Sequence, residues 1–393
     1  MKGKHRLRLL AYAAGFCLSL STAIGAYIHS SFIEQFVGEQ KVGLVYSVAA
    51  ACSLLASWQG LRLLRRYGNV RALTILGFAN FLALIGAVLA SRSVAGLPAQ
   101  AGVWLVGAHM VLSFLVAINL DVYLEKLSDD RTTGRIRGLF LTANNLAWLC
   151  SPLLASQLKS RFDYWAIFAL AALALVPFLF IVLAKLRDVV ERQTAHLSLF
   201  NGLQRVFDAS NRDLRLILSI DFLLNFFYAV MIIYLPLYLH AHIGLAWTQI
   251  GVVFTVMLIP FVILDFPLGR IADLWLGEQE LLTLGLIISA IACLLIPFFT
   301  SASLISWALI LLLSRIGAAT IEAMKETYLF KHIDGRDANI VFISRNMYPA
   351  AYVLAPVIAS GFLLFFDLRY IWFALGLVML LGLPASLKLK DTK

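Results

Sequence analysis

Apolar runs of about 20 residues recur from one end of this chain to the other, and that recurrence limits the fold more than any other feature. A run of that length crosses a hydrocarbon core of about 30 Å as a helix, and in lipid only structures that satisfy their own backbone amides can span. Of the 393 residues, 61% are hydrophobic and 14% charged, whereas a soluble domain carries roughly 25% charged residues. The sequence therefore predicts an all-α, polytopic membrane protein. Twelve spans are read, at about 9–31, 41–61, 70–91, 101–124, 137–158, 165–185, 214–239, 247–268, 279–299, 303–325, 339–363 and 368–387. They fall into two six-helix bundles related by pseudo-two-fold symmetry, 1–186 and 214–393, joined by a polar linker at 187–213.

The net charge of +10 does not mark a nucleic-acid binder, because the bases sit in short loops rather than on one face. Lys2, Lys4, Arg6 and Arg8 open the chain, and alternate loops carry Arg62, Arg65, Arg66 and Arg71, then Lys126, Arg131, Arg135 and Arg137. The linker adds Lys185, Arg187, Arg192, Arg205, Arg212 and Arg215, and the tail ends in Lys388, Lys390 and Lys393. The opposite loops hold Lys41, Arg92, Lys159, Arg161 and Arg369. This asymmetry puts both termini in the cytoplasm, with the chain in the plasma (inner) membrane. The basic start and the small residues near Ala26 resemble a cleaved signal peptide. The run continues to about Tyr27, however, and its loss would break the repeat, so it reads as the first span. Cys17, Cys52, Cys150 and Cys293 lie in apolar runs without paired spacing and read as small buried hydrophobes. In the linker, Leu199, Phe200, Leu203, Val206 and Phe207 recur at helical spacing, predicting a short amphipathic helix on the inner membrane surface.

The halves align in order. Tyr27 to Gly43 matches Tyr234 to Gly251, Asp121-x-x-x-Glu125 matches Glu322-x-x-x-Glu326, and Pro152-Leu-Leu-Ala-Ser matches Pro356-Val-Ile-Ala-Ser. The shift is roughly 200 residues each time, and duplicated halves are a recurring transporter construction. Two glycine-bounded charged stretches, Gly60 to Gly68 and Gly269 to Gly277, occupy matching places after spans two and eight and read as hinge loops.

With these residues the chain resembles the major facilitator superfamily over essentially its whole length. The family's loop signature, G-x-x-x-D-R/K-x-G-R/K, is matched in its first half by Gly269-Arg270-Ile271-Ala272-Asp273, with Gly277 one position late. The first copy keeps Gly60, Gly68, Arg65 and Arg66 but has Leu64 where the acid belongs. The resemblance implies a cytoplasmic gate in which these loops meet the acids closing spans four and ten. On that basis Asp121 and Glu125 are expected to pair with Arg62, Arg65 or Arg66, and Glu322 and Glu326 with Arg270. Each acid pair stands four residues apart on one helix face. Arg315-Ile316-Gly317 resembles the family's arginine-glycine motif; the G-x-x-x-G-P-x-x-G-G of its drug antiporters is missing at Asn145–Pro152.

Ionisable residues inside spans default to function or to a paired structural role. The second half holds Asp221 and Asn225 in span seven, Asp265 in span eight, Arg315 in span ten, and Arg345 with Asn346 in span eleven. Asp221 and Asp265 lie at roughly 7–11 Å depth by helical rise. One reading makes the acids and bases neutralise one another, with Asp265 and Asp273 bracing the gate against Arg345. The sharper reading makes Asp221 or Asp265 a protonatable coupling residue and Arg315 a partner for an anionic or polar substrate group. Tyr348, beside Pro349 in a span broken at that point, is read as facing the cavity. In the first half His109 reads as packing or relay, and the Asn144–Asn145 pair as cavity-lining.

The expected function is secondary transport of a small molecule by alternating access, with protons as the candidate coupling ion. An uncoupled facilitator is the alternative. A more remote one is an intramembrane prenyltransferase-like enzyme, because Asn119-x-Asp121-x-x-x-Glu125 is similar to the acid spacing that holds magnesium and diphosphate there. No nucleotide-binding loop of the G-x-x-x-x-G-K-[ST] kind is present. The reading involves no catalytic residue, cofactor or metal, and the partners are substrate, protons and lipid for a monomeric chain.

Overall fold

The computed structural model describes residues 2–94, 96–127, 133–186, 199–208, 211–332 and 338–390. Side chains outside the description within those ranges are those of 2–4, 58–65, 125–126, 133–135, 137, 199–201, 265–266, 273–274, 330, 332 and 338. All regular structure among the described residues is helical. Ten of the helices are long and apolar enough to cross a membrane.

The chain divides into two compact units, Met1–His196 and Leu197–Lys393. The first contains α1 (Lys2–Ala26), α2 (His29–Val37), α3 (Glu39–Tyr67), α4 (Asn69–Ser91), α5 (Ala101–Lys126), α6 (Thr133–Arg161) and α7 (Tyr164–Ala184). The second contains α8 (Leu199–Phe207), α9 (Arg212–Leu237), α10 (Trp247–Leu258), α11 (Pro260–Ile263), α12 (Asp265–Leu274), α13 (Glu278–Leu295), α14 (Leu304–His332), α15 (Ala338–Phe362), α16 (Ile371–Leu380) and α17 (Leu383–Ser386). Packing inside each unit follows one pattern. In the first, α1 packs on α5, α6 and α7, α4 on α5 and α7, and α3 on α5. In the second, α9 packs on α14, α15 and α16, α13 on α14 and α16, and α10 on α14. The pairings correspond helix by helix under the shift that aligns the two half-sequences.

Several boundaries differ from expectation for identifiable reasons. The first span ends at Ala26, and the segment before the second is itself a helix, α2. Span eight is broken: Pro260 has no N–H to continue the ladder, and Ile259 falls back to an i−3 bond with the Val256 carbonyl (3.2 Å). After the single turn of α11, α12 starts at Asp265. Pro267 sits in its first turn, where a missing donor costs nothing, so Gly269 through Asp273 are helical rather than a hinge loop. The turn is confined to Trp275–Gly277, where the Gly277 amide donates to Glu280 Oε2 (3.0 Å). Likewise Gly60 lies within α3, and only Gly68, at φ +82°, turns the chain. An L-residue is strained at that angle, so glycine is required there. Span eleven is not broken at Pro349: α15 runs continuously through Pro349 and Pro356.

The linker helix α8 docks on the second unit. Val206 packs with Leu218 of α9 and Ile343 of α15, and Gly202 lies so close to Ile343 that a Cβ would sit 2.7 Å from it. Arg215 Nη1 donates to the Val206 carbonyl (3.2 Å) and the Asp208 carbonyl (2.5 Å), capping the end of α8. Arg8 does the same at the end of α5, donating to the Leu127 carbonyl from Nε (2.8 Å) and Nη2 (2.5 Å). Two of the bases that set the charge asymmetry thus also satisfy orphan helix carbonyls. The cysteines differ from expectation: Cys293 is buried, but Cys52 and Cys150 are exposed. A span in lipid turns part of its apolar surface outward, so an apolar run does not imply burial in protein.

Candidate functional site

Three helices of the second unit bring a polar cluster together in an otherwise apolar interior. Asp221 comes from α9, Glu322, Lys325 and Glu326 from α14, and Ser344 and Arg345 from α15. Asp221 and Lys325 are buried, and Lys325 Nζ donates to Asp221 Oδ1 in a short ion pair. Ser344 Oγ donates to Asp221 Oδ2 (2.7 Å), and Asn225 Nδ2 to Asp221 Oδ1 (2.9 Å). A buried ion pair is tolerable only when its remaining lone pairs are also satisfied, and the serine and asparagine do that here. Lys325 comes from α14 and Ser344 from α15, so Asp221 fastens α9 to both.

The other two acids are held on the same stripe of α14. Tyr228 OH donates to Glu322 Oε2 (2.6 Å). Arg345 grips Glu326 with two nitrogens, Nη1 to Oε1 at 2.7 Å and Nη2 to Oε2 at 3.5 Å. Lys325 Nζ also lies 3.7 Å from Glu326 Oε1, within reach of a second carboxylate without moving its helix. A narrow recess at Asp221, Lys325, Glu326 and Ser344 is walled by Ile217, Leu218 and Leu329.

This arrangement corrects one expected pairing. Glu322 and Glu326 do not bond Arg270; Arg345 pairs with Glu326, and the Asp265 and Asp273 side chains expected beside it lie outside the described residues. Arg270 is exposed on α12, whereas the acid stripe of α14 turns toward α9 and α15, which carry Tyr228 and Arg345. Hydropathy ends span ten at Lys325 and so gives that residue no role. In the structure α14 continues to His332, placing Lys325 one turn after Glu322 inside a helix that still packs against α9. The signal was present as Glu322-x-x-Lys325-Glu326, a base within one turn of two acids.

Arg315, two turns earlier on the same stripe, is 1% exposed and belongs to no ion pair among the described residues. Its guanidinium lies against Phe227 (5.0 Å from the ring centre) and Tyr228 (5.6 Å). Asn346 donates to the Phe342 carbonyl of its own helix (2.8 Å), and Tyr348, half exposed, lies against Tyr352 with ring centres 4.4 Å apart. Lys331 pairs with the buried Glu278, joining the ends of α14 and α13.

In the first unit His109 is buried and its Nδ1 lies 2.7 Å from Asn80 Oδ1, while Asn80 Nδ2 donates to Ser113 Oγ (3.0 Å). The edge of its ring meets His29, with ring centres 5.7 Å apart, and Nε2 of both histidines is buried without a partner. Asn144 and Asn145 are half-buried, and the Asn144 Oδ1 lacks a partner. Near the Gly68 turn, Asp121 is half-buried and Arg66 is exposed, its guanidinium 5.3 Å from the Tyr67 ring. Asn69 follows Gly68 directly. Oriented to suit its neighbours, its amide donates to the Asn119 carbonyl (3.1 Å) and accepts from the Tyr123 amide (3.1 Å), wedging into α5 beside Asp121. The side chains of Asp265, Asp273, Glu125 and Arg65, and the surroundings of Gly60, lie outside the described residues.

A family model of the Major Facilitator Superfamily matches residues 12–342 and, separately, 217–393. None of the curated proteins matches the chain. Among solved structures the chain is similar to the xylose transporter XylE from E. coli in a partially occluded inward-open conformation. The TM-score is 0.76 at 14% identity, over 100% of this chain and 99% of that one. It is similar to the nucleoside transporter NupG (TM-score 0.76, 11% identity, 98% and 99% covered). It is also similar to the human organic anion transporter MFSD10 (TM-score 0.71, 14% identity, 98% and 99% covered). Three cargo types on one backbone at such identity show the fold and leave the cargo open. By its apolar helices and by these matches, the chain is a multi-pass membrane protein belonging to the Major Facilitator Superfamily of transporters.

Proposed function

We propose that this chain is a secondary active transporter that moves a small molecule by alternating access and couples it to protons through Asp221. The observation that carries this reading is the buried Asp221–Lys325 pair between α9 and α14, with Glu326 a second acceptor 3.7 Å from the same ammonium. Protonation of Asp221 removes its hold on Lys325. The ammonium then turns to Glu326, and the fastening of α9 to α14 loosens. In this reading twelve spans form two six-helix bundles, with α10–α12 together making the eighth span and α15 the eleventh. Both termini are cytoplasmic, the chain is monomeric, and the polar cluster lies at the inner end of its bundle. Gating is asymmetric: Asp273 braces the second half, and Asp121 and Glu125 meet Arg65 or Arg66 in the first.

A second reading, an uncoupled facilitator, is favoured by the same pair. An acid already neutralised by a lysine can serve purely as a brace between helices. Uptake into liposomes distinguishes them, with a panel of radiolabelled sugars, nucleosides and organic acids tested with and without a pH gradient. Gradient-driven accumulation that Asp221→Asn abolishes, while counterflow exchange survives, is the expected result. Uptake indifferent to the gradient in both proteins leaves the facilitator.

A further inference from the structure

Among the described residues, the buried charges of the second unit are matched except at one position. Asp221 is taken by Lys325, Ser344 and Asn225, Glu322 by Tyr228, and Glu326 by Arg345. Arg315 is left over: Nε, Nη1 and Nη2 are all buried with no hydrogen-bond partner. A lone cation inside a membrane helix is among the least tolerable arrangements a fold can hold. The faces of Phe227 and Tyr228 soften this by cation–π attraction, but they accept none of the guanidinium's in-plane hydrogen bonds.

The backbone around Arg315 is fixed. Gly317, two residues on, meets Gly285 of α13 so closely that a Cβ would lie 2.6 Å from the Gly285 carbonyl oxygen, so α14 cannot roll there to bring the guanidinium to another acceptor. Of its two aromatic neighbours, Tyr228 is tied by its hydroxyl to Glu322. It therefore touches both the unmatched cation and the acid cluster. A side chain kept charged, dry and without acceptors, on a helix whose other ionic groups are paired, is complementary to a ligand that brings the acceptors.

We propose that Arg315 is the anion-receiving residue of the transport site, and that the cargo carries a carboxylate or phosphoryl group. The planar fork of the guanidinium suits two oxygens of either group. Tyr228 is the positioning residue beside it: turning its ring to admit the anion strains its bond to Glu322, and so reports occupancy to the acid cluster. This rests on the transport reading above, since it names the class of cargo for that function.

The test uses the full-length protein in detergent, with succinate, benzoate and inorganic phosphate as probes and succinamide and benzamide as their neutral counterparts. Tryptophan fluorescence follows melting. At least one anion is expected to raise Tm by several degrees, as any ligand of the folded state does, while its neutral counterpart does nothing. Arg315→Gln should abolish that shift and leave the unliganded Tm equal or higher, because it removes an unmatched buried charge. Arg315→Lys, which keeps the charge without the fork, should weaken apparent affinity about tenfold or more. The proposal is overturned if no anion shifts Tm, if the neutral amides shift it equally, or if Arg315→Gln binds the anion unchanged. Liposome uptake separates the two ideas. Anion binding without uptake defeats the transporter and keeps the site, whereas uptake of an uncharged cargo with unchanged KM in Arg315→Gln does the reverse.

Discussion

Lys325 of α14 donates to Asp221 of α9 in a buried ion pair, and Ser344 of α15 completes the carboxylate's shell at 2.7 Å. Removing one member strands the other in a dry site, at about 3–5 kcal/mol. Lys325→Met should destabilise by about that much, and Asp221→Asn by less, because Glu326 Oε1 lies 3.7 Å from the same ammonium. The double variant should recover most of the loss, because two neutral groups no longer need each other. Denaturation of all four proteins in one detergent measures the coupling, and strictly additive losses would show that the two side chains are not paired.

Tyr228 donates to Glu322 at 2.6 Å, a hydrogen bond to an acid and so among the stronger kind. Tyr228→Phe keeps the ring against Arg315 and removes only the donor. A stability loss of about 1–3 kcal/mol is expected, with Glu322→Gln giving a smaller change because the tyrosine retains an oxygen acceptor. If Tyr228→Phe melts with the parent protein, the bond carries no net stability.

The sequence disclosed the class of fold more fully than the site. Length and apolarity of the runs dictate helices in lipid, and the repeated Pro152 and Pro356 segments carry the duplication that reappears as matching pairs, α1 with α6 and α9 with α15. Asp221 and Arg315 were recognisable because a charge in an apolar run stands out. Their partners were not, since pairing depends on how α9, α14 and α15 rotate about their axes, and no single run encodes that. Lys325 was lost for a different reason: hydropathy marks where apolarity ends, and α14 continues for another seven residues to His332. The Gly269–Asp273 stretch misled in the opposite direction. Its glycine and charges resemble a loop, yet Pro260 had already broken the helix upstream, leaving the signature free to be helical.

Asp163 caps α7, accepting from the Tyr164 amide (2.8 Å) and pairing with Lys159 (3.1 Å). Partial burial pushes its carboxyl upward, but the Tyr164 amide and Lys159 outweigh this and hold it below the usual carboxylate range. A folded-state value below the unfolded one means that the cap stabilises above the unfolded value, and that this is lost as pH falls through the folded one. Asp163→Ala should therefore cost about 0.5–2 kcal/mol near neutral pH, toward the lower end because the side chain is 65% exposed. The difference from the parent should shrink as melting is followed from pH 5 toward pH 2. A gap independent of pH would assign the effect to helix propensity instead.

Gly317 of α14 and Gly361 of α15 make opposite predictions for the same substitution. A Cβ on Gly317 would lie 2.4 Å from Ser289 Oγ and 2.6 Å from the Gly285 carbonyl, whereas one on Gly361 would meet nothing within 4 Å. Gly317→Ala must push α13 and α14 apart at a packed crossing, which should cost about 1–3 kcal/mol. Gly361→Ala fills open space and removes backbone freedom from the unfolded chain, so a gain of about 0.4–1 kcal/mol is expected. Because Gly317 holds α14 in register two residues from Arg315, Gly317→Ala should also weaken any anion-induced rise in Tm, and Gly361→Ala should leave it intact. Equal effects of the two substitutions would mean that the crossing is loose enough to absorb a methyl group, and that Arg315 owes its position to something other than Gly285 and Gly317.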